Sequence, residues 1–474
     1  MCGLPLHHAH RHLPQWRQLL EEPELLTAFF SAFRTPDLRK KILFTLFVLG
    51  LYRLGAALPS PGVSYGNVQA CLGTAESDTG VFTLLNMFSG GALLQLSVLA
   101  LGIMPYITAS IILQLLTVVI PRLEQLKKEG PSGQGKITQY TRYLTLGLAI
   151  LQASGYIALA RTGTLFNNNP NPACTEIIPD TSAMEVGIPM WMTLTVMVMV
   201  MTAGAAVTMW FGELVTDRGV GNGMSVLIFA SIAAQLPGQV WQLKETEDSW
   251  FLFGAIIAVG IAIIALVVFI EQAQRRIPVQ YAKRMVGRRM YGGTSTYIPL
   301  KVNQAGVIPV IFGSSLLYIP TLISQFYQND TDPPAWVRFV TDYLSNPGNW
   351  VYTVVYFFLI VFFTYFYVSI SFNPNDVADN MKKLGGFIPG VRPGKPTAQF
   401  LERVLSRLTF PGSIYLGLIA VLPNLAIIAF GGNQAFNQFP FGGTAVLIMV
   451  GVGLESVKQI ESQLMQRNYE GFLR

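Results

Sequence analysis

The sequence predicts an all-α polytopic membrane protein of about ten spans, and three observations carry that prediction. Only 12% of the residues are charged while 51% are hydrophobic, and a soluble domain carries about twice that charged share. Apolar runs recur with roughly the 17–25 residues that a helix rising about 1.5 Å per residue needs to cross a bilayer core. The loops between these runs alternate between rich and nearly devoid of Lys and Arg.

Residues 1–27 read as an appended tail in which His7, His8, His10 and His12, the only histidines of the chain, cluster ahead of a Leu/Glu-rich stretch. A disordered tail is the expectation, a metal site the alternative. Residues 28–41 form a cytoplasmic amphipathic segment, since Leu25–Phe33 has an apolar face and Arg34, Arg39, Lys40 and Lys41 follow it. The charged stretch ahead of Ile42 lacks a small-residue cleavage site and runs on into a span, so no cleavable signal is expected.

Ten apolar segments follow: Ile42–Leu58, Leu96–Ile120, Tyr143–Leu159, Trp191–Phe211, Val220–Leu236, Trp250–Ile270, Ala305–Ile323, Trp350–Ile370, Leu408–Phe430 and Phe441–Leu454. Basic loops carry Arg122 to Arg142, Arg275 to Lys301 and Lys382 to Arg407. The intervening loops hold only Lys244 and Arg338. Cytoplasmic loops collect Lys and Arg, so both termini are expected in the cytoplasm, residues 465–474 being a cytoplasmic tail, and the net charge of +6 follows mostly from this bias.

One stretch fits badly into a single span. Asn86–Gln114 opens with Ser89, Gly90 and Gly91, and each glycine costs roughly 1 kcal/mol in a helix. From Leu96 to Ile120 it is then apolar almost without a break. Irregular backbone at membrane depth is tolerated only where it is buried in protein or lines a cavity. A re-entrant piece joined to a spanning helix is therefore expected beside a water-accessible space.

Several function classes lack their residues. GPSGQGK, Gly130 to Lys136, approaches a phosphate-binding loop, but its flanks are membrane helices and Ile137 stands where Ser or Thr is needed. Only Arg53 lies clearly within a span, whereas Glu213, Asp217, Arg218, Lys301 and Glu455 sit near cytoplasmic edges. Neither a proton relay nor a nucleophile–base pair can be built, and no cofactor is implied. Cys2, Cys71 and Cys174 have no metal spacing. Cys71 and Cys174 fall in two outer loops where one bridge could form; free thiols are the expectation. Two cytoplasmic loops, 272–301 and 372–405, are longer than a connection requires and suit docking of an acidic or nucleic-acid-bearing partner.

Taken in order, NMFSGGAL, ALGIMPYITASIILQLL, KKEG, ITQYTRY, RGVGNGMS, QRRIPVQYAKR, GRRMYGG, STYIPLKVNQAGVIP, FNPNDVADN, GGFIPGVRPGKPT and FGGT resemble the SecY family, the central subunits of the bacterial Sec protein-conducting channel. The resemblance runs from about Phe29 to the C-terminus. It implies a clamshell of two inverted-repeat halves of five helices, residues 42–238 and 239–464, around an hourglass pore. It also implies a non-enzymatic channel of the bacterial plasma membrane that passes unfolded polypeptides outward and releases apolar helices sideways into the lipid bilayer. The implied partners are the small subunits SecE and SecG, the motor ATPase SecA, the ribosome with its RNA, and signal sequences. The rival from another class is a secondary transporter for small solutes.

By matching motifs, the constriction ring would comprise Ile103, Ile107, Met224, Ile228, Ile311 and Ile448, with Met224 in place of the usual isoleucine. Methionine keeps the ring apolar and makes it more flexible. Residues 82–94 would be a plug, with Phe82, Asn86, Met87, Phe88, Ser89, Gly90 and Gly91 named for it. Thr108, Gln152 and Asn303 fall at lateral-gate positions, between the second and third spans on one side and the seventh and eighth on the other. Arg288, Arg289 and Arg392 match arginines that dock SecA or the ribosome.

Overall fold

The computed structural model describes residues 35–75, 86–161, 174, 177–178, 189–246, 250–281, 284–286, 289–291, 295–325, 333–344, 349–429 and 442–471. The N-terminal histidines, Phe82 and Arg288 lie outside the described residues. Each of the ten apolar segments falls at least in part on a helix. In chain order these are α1 (Pro36–Ala57), a short α2 (Tyr65–Ala75), α3 (Met104–Val119), α4 (Pro121–Lys128), α5 (Pro131–Arg161), α6 (Met190–Arg218), α7 (Gly223–Thr246) and α8 (Trp250–Gln272). After a β-hairpin come α9 (Ile308–Gln325), α10 (Ala335–Phe339), α11 (Trp350–Ser371), α12 (Pro374–Lys383), α13 (Lys395–Ala429) and α14 (Gly443–Gly471). Seven helices among the described residues are long and apolar enough to cross a membrane, or eight if α3 and α4, bent by 101°, count as one span. The near match to a phosphate loop is the opening turns of α5, where Pro131 fits because the first helical N–H groups have no intrahelical partner.

The helices pack as two groups. In one, α3 and α6 lie against α5, and α1 and α7 lie against α6; in the other, α11 joins α9 to α13, and α14 lies against α8 and α13. The groups meet where α7 packs on α14 and α3 on α9. The larger apolar core belongs to the first group and admits Ile311, Ala445, Ile448 and Val452 from the second.

Two expectations change. The apolar run from Leu96 to Ile103 is not helical; α3 starts only at Met104, with Pro105 in its first turn. Gly102 at φ +53° and Leu96 at φ +46° hold left-handed backbone that no helix accommodates. The segment meets its polar obligations through three-residue turns, Ala100 N–H to Ser97 O at 3.0 Å and Gly102 N–H to Leu99 O at 2.9 Å. It also bonds outward, Val98 N–H to Leu58 O at 2.9 Å and Ser60 N–H to Leu96 O at 3.0 Å. It lies so close to α6 that a β-carbon on Gly204 would stand 1.9 Å from Val98 O.

The cysteines are the second correction. Cys71 on α2 and Cys174 form a disulfide across 103 residues, with Cα atoms 5.2 Å apart. Ser64 N–H donates to Ile177 O at 2.9 Å beside the bridge, and both cysteines are buried in one apolar cluster with Val68, Ile177 and Ile178.

The two long basic loops are also structured. Strand β1 (Gln274–Tyr281) pairs antiparallel with β4 (Ser295–Lys301) on one edge and with β5 (Gly386–Phe387) on the other. Between β1 and β4 a small hairpin joins β2 (Arg284–Val286) to β3 (Arg289–Tyr291). Ile277 and Val279 point inward at the period-two spacing of a strand and meet Leu300, Met381, Ile388, Leu401 and Val404 in a core of their own. In FNPNDVADN, Asn373 caps α12 by accepting Asn375 N–H at 3.1 Å, Pro374 takes the first turn, and Lys382 and Lys383 close the last, complementing the helix dipole.

Candidate functional site

The six residues assigned to the ring come together in one apolar cluster. Ile103, Ile228, Ile311 and Ile448 are buried, and Ile107 and Met224 pack against them. They arrive on four helices or helix starts, α3, α7, α9 and α14. Ile103 is the residue just before α3, and Ile107 N–H bonds to its carbonyl at 3.1 Å, which sets the two side chains one turn apart on a common face.

Met224 is positioned by the turn RGVGNGMS. Gly221 takes φ +86°, Gly223 N–H donates to Thr216 Oγ1 at 2.9 Å, and Asn222 Oδ1 accepts Met224 N–H at 3.1 Å. Gly212 on α6 supplies the room for the sulfur; a β-carbon there would lie 2.2 Å from Met224 Sδ. The flexible side chain is therefore held in a fitted notch.

On the side of the basic loops the cluster faces a cavity of about 530 Å³, lined by Ile107, Met224, Ile228 and Ile311 at its apolar floor. Its walls are mixed, with Ile111, Ile308 and Phe312 beside polar and charged groups. Arg142 on α5 grips Glu213 on α6 with two parallel bonds of 2.8 Å, in the fork geometry that suits guanidinium to carboxylate. Thr138, Thr216, Asp217 and Asn222 also line it.

Farther along α7, where Gln235 bonds to Asn86 O beyond the cavity-lining Met224 and Ile228, lies segment 86–94, the described part of the expected plug. Met87, Phe88 and Ser89 are buried, Phe88 to 3% exposure, and Met87 and Phe88 belong to the same cluster as the ring residues. Gly90 and Gly91 take φ +72° and +89°, so other residues would be strained at both. Asn86 organises the loop: its carbonyl accepts Gly91 N–H at 2.8 Å and Ser89 Oγ–H at 3.0 Å, and its Oδ1 accepts Leu94 N–H at 3.1 Å.

The three gate positions are not bonded to one another. Thr108 donates to Met104 O in its own helix at 3.0 Å, Gln152 Oε1 is buried without a partner, and Asn303 Nδ2 bonds to Glu271 Oε1 at 2.5 Å and Gly306 O at 3.1 Å. What spans α3, α9 and α11 is an apolar seam that sequence reasoning missed. Ile111, Phe312 and Phe363 are its buried centre, and the two rings meet edge to face at 5.5 Å. Phe312 follows Ile311 directly, so the next position on α9 was the available signal. Of the arginines expected to dock a partner, Arg392 is exposed and Arg289 lies on β3.

With this geometry established, comparison with known proteins is decisive. The family model described as SecY matches residues 97–457. The chain belongs to the SecY family. It is 63% identical over 456 residues, 95% of this chain and all of the relative, to the protein translocase subunit SecY of Streptomyces coelicolor. Among solved structures it resembles one described as a protein-conducting channel, with a TM-score of 0.62 at 19% identity, covering 89% of this chain and 91% of that one. The Sec61 channel in a canine ribosome–channel complex has a TM-score of 0.58 at 18% identity over the same shares. These two likenesses speak to the fold, which is that of a polytopic helical membrane protein.

Proposed function

We propose that this SecY-family chain is the channel subunit of a protein translocase and that the apolar cluster is its constriction. The carrying observation is the order of three features along α7: the cavity at Asn222 and Met224, the apolar collar at Met224 and Ile228 with Ile103, Ile107, Ile311 and Ile448, and then the glycine-broken segment bonded by Gln235. An apolar collar stops ions by dewetting. It also offers a passing chain no hydrogen bonds on which to stall.

Residues 82–94 are the plug, and Thr108, Gln152 and Asn303 flank a lateral gate whose closing contact is the Ile111–Phe312–Phe363 seam. A purely apolar seam suits a gate, because a signal sequence or an emerging membrane segment replaces its contacts with equivalent ones. The chain is a channel rather than an enzyme, and the small-solute transporter reading falls with family membership. The basic sheet, with Arg288, Arg289 and Arg392, docks the ribosome or SecA, and SecE and SecG complete the complex. The site is the bacterial plasma membrane, and the distribution of Lys and Arg supports both termini in the cytoplasm.

The test is ion leak from vesicles containing the reconstituted complex. Ile103→Gly and Ile311→Gly, taken singly, are expected to raise leak while export persists. Unchanged leak in both variants would remove the constriction assignment.

A further inference from the structure

The segment 86–94 is held to other helices, among the described residues, by only two hydrogen bonds. Arg53 Nη1 on α1 donates to Gly90 O, and Gln235 Nε2 on α7 donates to Asn86 O at 2.9 Å. Its other described hydrogen bonds run within the segment or to the residues just after it, and its remaining contacts are apolar. The two donors stand on facing helices whose separation is set one step inward, where Tyr52 OH and Ser231 Oγ lie 3.0 Å apart in a buried bond. Tyr52 neighbours Arg53 in sequence, and Ser231 lies one turn before Gln235. The backbone enters this gap only at a glycine: a β-carbon on Gly90 would be 3.1 Å from Arg53 Nη1 and 3.4 Å from Ser231 Cα.

Arg53 lies one turn from the end of α1, in an otherwise apolar stretch, and among the described residues no carboxylate pairs with it. We infer that Arg53 and Gln235 are positioning residues that latch the plug by two main-chain carbonyls, so that departure of the plug is gated by the loss of these two bonds. This rests on the plug reading of residues 82–94. Because the latch reads carbonyls, it makes no direct demand on side chains, but it requires glycine at position 90. Apolar contact fills the funnel at any register, whereas two directed bonds from opposite helices fix one.

The experiment places Phe88→Cys in a Cys2→Ser background, Cys71 and Cys174 being consumed in their disulfide. It follows labelling by a membrane-impermeant maleimide applied from the outer face of vesicles holding the full complex. With a preprotein arrested in the channel, the buried position should label rapidly; if it does not, the plug reading itself fails. In idle channels, Arg53→Met and the near-isosteric Gln235→Glu should each speed labelling roughly tenfold, as expected for loss of about 1.4 kcal/mol, and raise ion leak. Arg53→Lys, which keeps a donor, should restore much of the slow rate. Fast labelling of arrested channels combined with unchanged idle labelling and leak in Gln235→Glu would overturn the latch and leave the plug standing.

Discussion

At the scale of single residues, the collar is shaped as much by absent side chains as by present ones. Gly212 and Gly204, both on α6, make opposite predictions. A methyl group on Gly212 meets the far end of Met224, 2.2 Å from Sδ and 2.8 Å from Cε, and a methionine tip can swing away. A methyl group on Gly204 meets Val98 O at 1.9 Å and Val98 C at 2.9 Å, which is backbone. Gly212→Ala should therefore retain nearly wild-type thermal stability while relaxing the seal at Met224, and Gly204→Ala should lose about 1–3 kcal/mol, the usual cost of overpacking. Thermal unfolding of the detergent-solubilised variants checks the pair, and equal losses would contradict the assignment of fixed and yielding neighbours. Neither notch was legible in the sequence, because a glycine inside an apolar run says nothing about which side chain will need its space.

At the scale of elements, the spans were legible because length and apolarity are enforced by the bilayer itself. The start of α3 was not, since Leu96–Ile103 is as apolar as the helix that follows it. The marks that end the irregular stretch were present as Gly102 and Pro105, and apolarity masked them. The sheet on the basic side was likewise hidden, as its alternation at Ile277 and Val279 is brief and interrupted by Pro278, and its second edge comes from Gly386 and Phe387, over a hundred residues later. The Cys71–Cys174 bridge was unreadable for the same reason: pairing across 103 residues depends on which loops the fold brings together. Constraining a loop of about that length stabilises by roughly 4–5 kcal/mol in the chain-entropy account. Cys71→Ser should therefore lower the melting temperature, and mass spectrometry after alkylation without reductant should find both cysteines unmodified in the wild type. Alkylation of both in the native, unreduced protein would show that the bridge is not formed.

At the scale of the whole molecule, two helix groups meet along α3 with α9 and α7 with α14, and the collar sits at that meeting. An interface so placed has two ways to open. In the proposed reading, displacing the plug would free the path along the axis, and parting the seam at Ile111, Phe312 and Phe363 would free a path sideways into lipid. Composition alone reached a re-entrant element beside a cavity; the order of motifs reached the family, and the coordinates added the seam, the disulfide and the two bonds on the plug. The measurement that bears most directly on the central claim uses sealed vesicles containing the chain with its small membrane subunits, supplied with the motor ATPase, ATP and an unfolded preprotein. The account predicts preprotein protected from external protease, dependent on the chain and on ATP. Vesicles that contain the intact complex and motor yet protect no preprotein would contradict it.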